Sequence, residues 1–189
     1  MFLHQKPSEE VVKQFLSSQR DLPFSYAEVG ATKTRAPSGY TIDHNRVQLG
    51  RGEETYRRAV AAIQRWQQFE LGWAMIQPAA MPLEPGTTVA VLAKVFGFWS
   101  LNAARIVYVF DERTDKSRFG FAYGTLPDHV ESGEERFTVE WCEDDSVWYD
   151  IYAFSRPKHP LVRVGFPVAR MLQKSFVKDS LKVMVSAAA

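Results

Sequence analysis

The chain has 189 residues, 46% of them hydrophobic and 13% aromatic, and its 23 basic side chains nearly balance 22 acidic ones to leave a net charge of +1. A chain of this length buries about 70% of the surface its unfolded form exposes, which argues against disorder and against several domains. The balanced charge gives no broad field for nucleic acid, and the single cysteine, Cys142, excludes an intramolecular disulfide and a cysteine-based zinc cluster and fits a reducing compartment.

Met1 to Lys6 carries no apolar run of signal-peptide length, and no window reaches the roughly 18 apolar residues of a membrane span. The expectation is a cytoplasmic protein without integral membrane association, built as a single domain over 1–189 with a helical N-terminal extension over 1–25. Ser8 caps a short helix whose first turn holds Glu9 and Glu10 and whose apolar face is Val11, Val12, Phe15 and Leu16. Phe24 to Thr32 reads as a buried connector. Tyr40 to Leu49 has the length of a strand, but Asp43, His44, Asn45 and Arg46 make it polar enough for an edge or a cavity wall. From Glu53 to Phe69, Tyr56, Ala59, Val60, Ile63 and Trp66 recur at helical spacing.

The period then becomes strand-like. Strands are expected at Leu71 to Ile76, Thr88 to Phe98, Ala104 to Asp111, Arg118 to Leu126, Glu134 to Glu143 and Val147 to Ser155, the last four joined by short polar turns as an antiparallel meander. A long helix from Pro160 to Val185 closes the chain, with a kink or a later start at Pro167, where the missing N–H interrupts the ladder. The fold class that follows is α+β: a curved antiparallel sheet of about seven strands wrapped around a long C-terminal helix.

This order resembles the helix-grip architecture of the START-like, Bet v 1-like (SRPBCC) superfamily. Within it, five segments resemble the uncharacterised DUF1990 or UPF0548 family: Tyr26-Ala-Glu-Val-Gly-Ala-Thr32, Gly50-Arg-Gly52, Phe119-Gly-Phe-Ala-Tyr-Gly-Thr-Leu-Pro-Asp-His129, Gly133-Glu-Glu-Arg-Phe137 and Ala153-Phe-Ser-Arg-Pro-Lys-His-Pro160. The resemblance implies a hydrophobic ligand cavity between sheet and helix. It implies no particular reaction.

Several side chains are candidates for chemistry. His129, beside Glu134 and Glu135, is placed for acid–base work or is simply a turn histidine. Trp148, Asp150, Tyr152 and Phe154 share one face of a strand, so Asp150 is either a desolvated acid, paired with Arg105 or Arg136, or a solvated one opposite an inward Val147, Tyr149 and Ile151. Phe119, Phe121 and Tyr123 alternate with Gly120, Ala122 and Gly124, and the bare face admits either the terminal helix or a ligand. His44 and Arg46 either bind an anionic group or sit on an exposed edge. The catalytic candidates are therefore His129, Asp150 and Glu135, and the ligand-binding set is Tyr26, His44, Arg46, Arg105, Tyr123, Thr125, Trp148 and Asp150. The four histidines show no metal-ligand spacing, and the glycines form no dinucleotide loop, so neither metal nor cofactor is expected.

Arg170, Lys174, Lys178 and Lys182 fall four apart, either as a solvated face or as a contact for an acidic protein partner. Trp99, with Phe96, Phe98 and Leu101 near it, forms an apolar patch that packs, gates a cavity or contacts a partner. Three functions follow in order: binding of a small apolar or amphipathic molecule; an enzyme of cyclase, lyase or hydrolase type on the same scaffold; and a module that uses the basic stripe or the Trp99 patch to dock on an acidic partner or a membrane surface.

Overall fold

The computed structural model describes residues 1–113, 117–158 and 166–189, apart from the side chains of residues 166 and 167. The elements run β1 (Phe2–Leu3), α1 (Glu9–Gln19), β2 (Thr41–Arg51), α2 (Gly52–Gln64), β3 (Ala74–Gln77), β4 (Thr88–Val95), β5 (Phe98–Arg113), β6 (Ser117–Thr125), β7 (Glu131–Trp141), β8 (Ser146–Pro157) and α3 (Phe166–Ala188), with single 3-10 turns at Ala31–Lys33 and Gln67–Phe69. The strands form one eight-stranded antiparallel sheet in the order β2-β8-β7-β6-β5-β4-β3, to which the short β1 adds by pairing with β5. The eighth strand is β1, too short to leave a sequence pattern, and polar β2 lies at a sheet edge.

Local chemistry sets the helix ends. Ser8 caps α1, its Oγ accepting the Val11 N–H at 3.4 Å. The helical period of α2 runs through Trp66, yet the helix stops at Gln64 because Trp66 adopts a left-handed backbone (φ 61°) and buries its ring, donating Nε1–H to the Met81 carbonyl at 2.9 Å. Helix α3 is described from Phe166, so Pro167 stands in its first described turn, where no intrahelical N–H is needed. The expected helix start at Pro160, and His159 before it, lie outside the described residues.

The concave face of the sheet holds the main core. There Phe121, Phe137, Val139, Tyr149 and Ile151 meet Ala59, Ala62 and Ile63 of α2, Phe69, and Met184 and Ala188 of α3. Phe69 lies edge-on to Phe137 at 5.5 Å, and Trp66 edge-on to Phe121 at 4.9 Å. The convex face is covered at one end by α1, whose Val12 and Phe15 pack on Ala90, Leu92, Leu101, Ala103 and Leu126. At the other end it is covered by the connector, through Tyr26, Ala36 and Phe154.

This arrangement corrects the reading of the bare face of β6. The aromatic residues of that strand, Phe119, Phe121 and Tyr123, turn inward, while Gly124 faces the connector and its missing side chain is replaced by the Tyr26 ring. Neither the terminal helix nor a ligand occupies that space.

Candidate functional site

On the concave side, between the sheet and the first half of α3, lies a cavity of about 210 Å³. One wall is apolar: Trp73, Val91, Ala93 and Val95 from the β3–β4 side face Leu172, Phe176 and Val177 of α3. The opposite wall is polar, because strands β5 to β8 turn Ser100, Asn102, Tyr123, Glu131, Glu135 and Ser155 toward the same space. Strand alternation explains this wall: Glu131, Gly133 and Glu135 share one face of β7, and at Gly133 the backbone of β8 comes so close that a Cβ would lie 2.0 Å from the Phe154 carbonyl oxygen.

The carboxylates have neutral partners. Tyr123 donates its hydroxyl to Glu135 Oε2 at 2.7 Å. The Gln173 amide donates to Glu131 and to Ser155 Oγ, the latter at 3.0 Å. Among the described residues no cation pairs directly with Glu131 or Glu135. Burial, reinforced by their mutual repulsion and by Asp43, pushes Glu135 up to about 7. Burial pushes Glu131 up to about 7 as well, against the opposing pull of Gln173, Ser155 and Arg170. Arg170 reaches in from α3 to the cavity rim, where its Nη2 donates to Asp43 Oδ1 at 2.7 Å and its Nη1 to Gln173 Oε1 at 2.7 Å.

His129 also lines the cavity. Its Nδ1 accepts the Glu131 N–H at 3.1 Å, which leaves the ring proton on Nε2. Burial drops its pKa to about 4, so the ring is neutral at physiological pH. The wall therefore presents a neutral imidazole, a tyrosine-bound carboxyl and an amide-bound carboxyl, with both carboxyls poised to exchange protons near neutrality.

Of the residues singled out in the sequence, Tyr123, Thr125, His129 and Glu135 line this cavity. The others lie elsewhere. Register pairs His44 with Tyr152 and Arg46 with Asp150, on the convex side of the sheet opposite Tyr149. There His44 Nε2 lies 2.5 Å from Asp150 Oδ2, Arg136 Nη2 donates to Asp150 Oδ1 at 3.3 Å, and Arg46 bonds Glu140 at 2.6 Å while covering the Trp148 ring. Asp150 is buried, yet on the convex side between His44 and Arg136 rather than by the cavity, since Tyr149 and not Asp150 faces the core. Tyr26 holds the connector, its hydroxyl donating at 2.6 Å to Glu134, which also accepts the Gly30 and Thr32 N–H groups at 2.7 and 3.0 Å. Arg105 closes the C-terminal end of α1, its guanidinium donating to the carbonyls of Gln19 and Leu22 at 3.0 Å and to that of Arg20. In the Gly50–Gly52 turn, the Gly52 N–H is already used by the Asp145 carbonyl at 2.9 Å.

The basic series on α3 is divided as well. Arg170 is drawn to Asp43 and the exposed Lys182 lies 3.3 Å from Asp179, while Lys174 and Lys178 are exposed without an ion pair among the described residues. The sequence reading named Asp43 only as part of a polar strand fit for an edge or a cavity wall, and it missed Glu131 and Gln173. Glu131 was legible as the residue two before Gly133 and four before Glu135 had β7 been started earlier; Gln173 carried no signal, because a lone amide on a long helix resembles any solvated position.

The architecture defines an α+β helix-grip domain with a mainly apolar cavity between sheet and terminal helix, bordered on one side by polar groups. A family described as a domain of unknown function, DUF1990, matches residues 25–183, and the chain belongs to that family. It is 38% identical to a UPF0548 protein of Dictyostelium discoideum over 99% of this chain and 95% of the relative. It is 35% identical to a UPF0548 protein of Deinococcus radiodurans over 100% and 99%. Among solved structures, a hypothetical protein of Helicobacter pylori shares the fold at a TM-score of 0.53 and 13% identity, over 88% of this chain and 96% of that one. No described helix is long and apolar enough to cross a membrane.

Proposed function

We propose that the protein binds a small, mainly apolar molecule with one polar end. The observation that carries this reading is the cavity of about 210 Å³ inside an otherwise closely packed concave face, because protein interiors ordinarily fill such space with side chains. The apolar wall of Trp73, Val91, Leu172 and Phe176 takes the body of the ligand. Tyr123, His129, Glu131 and Glu135 orient its polar end, and two carboxyls lacking a cation favour a hydrogen-bond donor or an amine over a carboxylate there.

Titration with the neutral fluorophore N-phenyl-1-naphthylamine tests the reading. Saturable enhancement is expected for the wild type and its loss in Ala93→Phe or Val177→Phe, which fill the cavity; enhancement unchanged in both folded variants contradicts it.

The same wall supports a second reading, acid–base catalysis on the bound molecule. It is favoured by one feature: the Tyr123–Glu135 pair carries a carboxyl near pKa 7 beside neutral His129. In that case Glu135→Gln abolishes turnover of a bound substrate while leaving its affinity within a fewfold.

A further inference from the structure

The β4–β5 hairpin closes through a two-residue turn, Phe96-Gly97, with φ of 49° and 84°. Turns with two positive φ values normally use Asn, Asp or Gly, since a left-handed backbone crowds a larger side chain. Phe96 accepts that crowding without gaining burial, being 73% exposed. Around it stand Phe98 and Phe2, 43% and 63% exposed. Phe98 pairs with Val95, and Phe2 with Ser100. Val95 and Ser100 line the cavity, so both aromatic rings stand on the cavity's side of the sheet and extend its rim outward.

Two lysines flank this tip: Lys94 is exposed on β4, and Lys6 lies 5.7 Å from the centre of the Trp99 ring. Residues 1–8 contain no acidic side chain, and between Leu71 and Phe110 the sequence has only Glu84. Asp128, on the neighbouring β6–β7 loop, is turned to the Gln19 amide at 2.9 Å. A hairpin tip of this kind offers too little area for a stable protein interface, whereas exposed aromatic rings beside lysines suit insertion among lipid headgroups.

We propose that the β4–β5 hairpin tip, with β1, docks on an anionic lipid bilayer. Phe96, Phe98 and Phe2 enter the headgroup region, Lys6 and Lys94 meet the anionic lipids, and the rim of the cavity is brought against the membrane. The arrangement stands independently of which molecule the cavity takes.

Flotation with vesicles of phosphatidylcholine, with and without phosphatidylserine, tests it. The wild-type chain is expected to float with the anionic vesicles and to lose binding as salt rises. Phe96→Ser with Phe98→Ser, and separately Lys6→Glu with Lys94→Glu, each weaken partitioning about tenfold or more. Their melting temperatures stay close to wild type, because the altered side chains are exposed. Lys174→Glu with Lys178→Glu on α3 leaves partitioning unchanged. The fluorescence of a Phe96→Trp variant is quenched by brominated lipid. The proposal is overturned if the wild type stays with neither vesicle, if the α3 variant loses binding while the hairpin variants keep it, or if the indole introduced by Phe96→Trp is not quenched in a vesicle-bound protein. No ligand is needed for any arm, so failure here leaves the cavity reading untouched, and failure of the fluorophore titration leaves this one untouched.

Discussion

A Cβ added at Gly124 would lie 2.1 Å from the Tyr26 hydroxyl and 2.9 Å from its ring, so the contact between sheet and connector depends on a missing side chain. Gly124→Ala is expected to cost about 1–3 kcal/mol in denaturant unfolding, and adding Tyr26→Phe to give no net recovery, since the ring remains within 2.9 Å and buried Glu134 loses its hydroxyl donor. A second residue-scale outcome concerns Glu135. Its folded carboxyl titrates near 7 against an ordinary value of 4.5, so the native state holds a proton that the unfolded chain has released. Its contribution to stability is therefore fully present below about pH 4.5 and is lost as pH rises through 7. Buried neutral His129 acts in the opposite sense, favouring the native state above pH 6.5 and losing that contribution as pH falls toward 4. Comparing Glu135→Gln with wild type isolates the first effect: thermal melts from pH 5 to 8 should show the variant gaining on wild type as pH rises. A constant difference would contradict the assignment.

At the scale of elements, Arg105 joins α1 to the sheet by donating to three carbonyls at the end of that helix and to Thr88 Oγ1. Arg105→Ala should cost about 1–3 kcal/mol and raise amide exchange in residues 9–22, with fluorophore binding in the cavity unchanged. What was legible in the sequence follows the range of the forces involved. The Ser8 cap, the period of α2 and the β6–β8 meander are local patterns and were readable. The β4–β5 turn was not, because phenylalanine is no turn residue, and the strand reading ran through Phe96 to Phe98 and left Trp99 to Ala103 unassigned. The orientation of β8 stayed open because both of its faces are aromatic or aliphatic. The connector residues Tyr26 and Ala36, more than 100 positions away, cover the face that Asp150 shares with Phe154. The same distance effect explains the site: Tyr123, His129 and Glu135 lay in recognisable motifs, whereas Asp43 and Gln173 gain meaning only when α3 crosses the sheet and Arg170 joins them.

Over the whole molecule the sheet serves two separate purposes. Its convex side is closed by α1 and the connector, fixed by the buried Glu134 and the Arg136–Asp150–His44 chain. Tyr26, Thr32, Gly124 and Glu134, all within the range the family matches, do this structural work. Its concave side is packed tightly where the second half of α3 inserts Met184 and bonds Tyr149 through Ser180 at 3.1 Å, and is left open where the first half passes over Glu131 and Glu135. Met184→Ala is expected to destabilise the fold by about 2–5 kcal/mol, read by chemical denaturation. The measurement that bears most directly on the cavity is native mass spectrometry of gently purified wild-type and Ala93→Phe protein, followed by denaturing extraction. A stoichiometric small molecule that leaves the wild type on unfolding and is absent from the folded Ala93→Phe protein is the expected result. A wild-type chain that carries no such molecule and also fails to bind the neutral fluorophore, or one whose bound molecule is retained equally by Ala93→Phe, would contradict binding in this cavity.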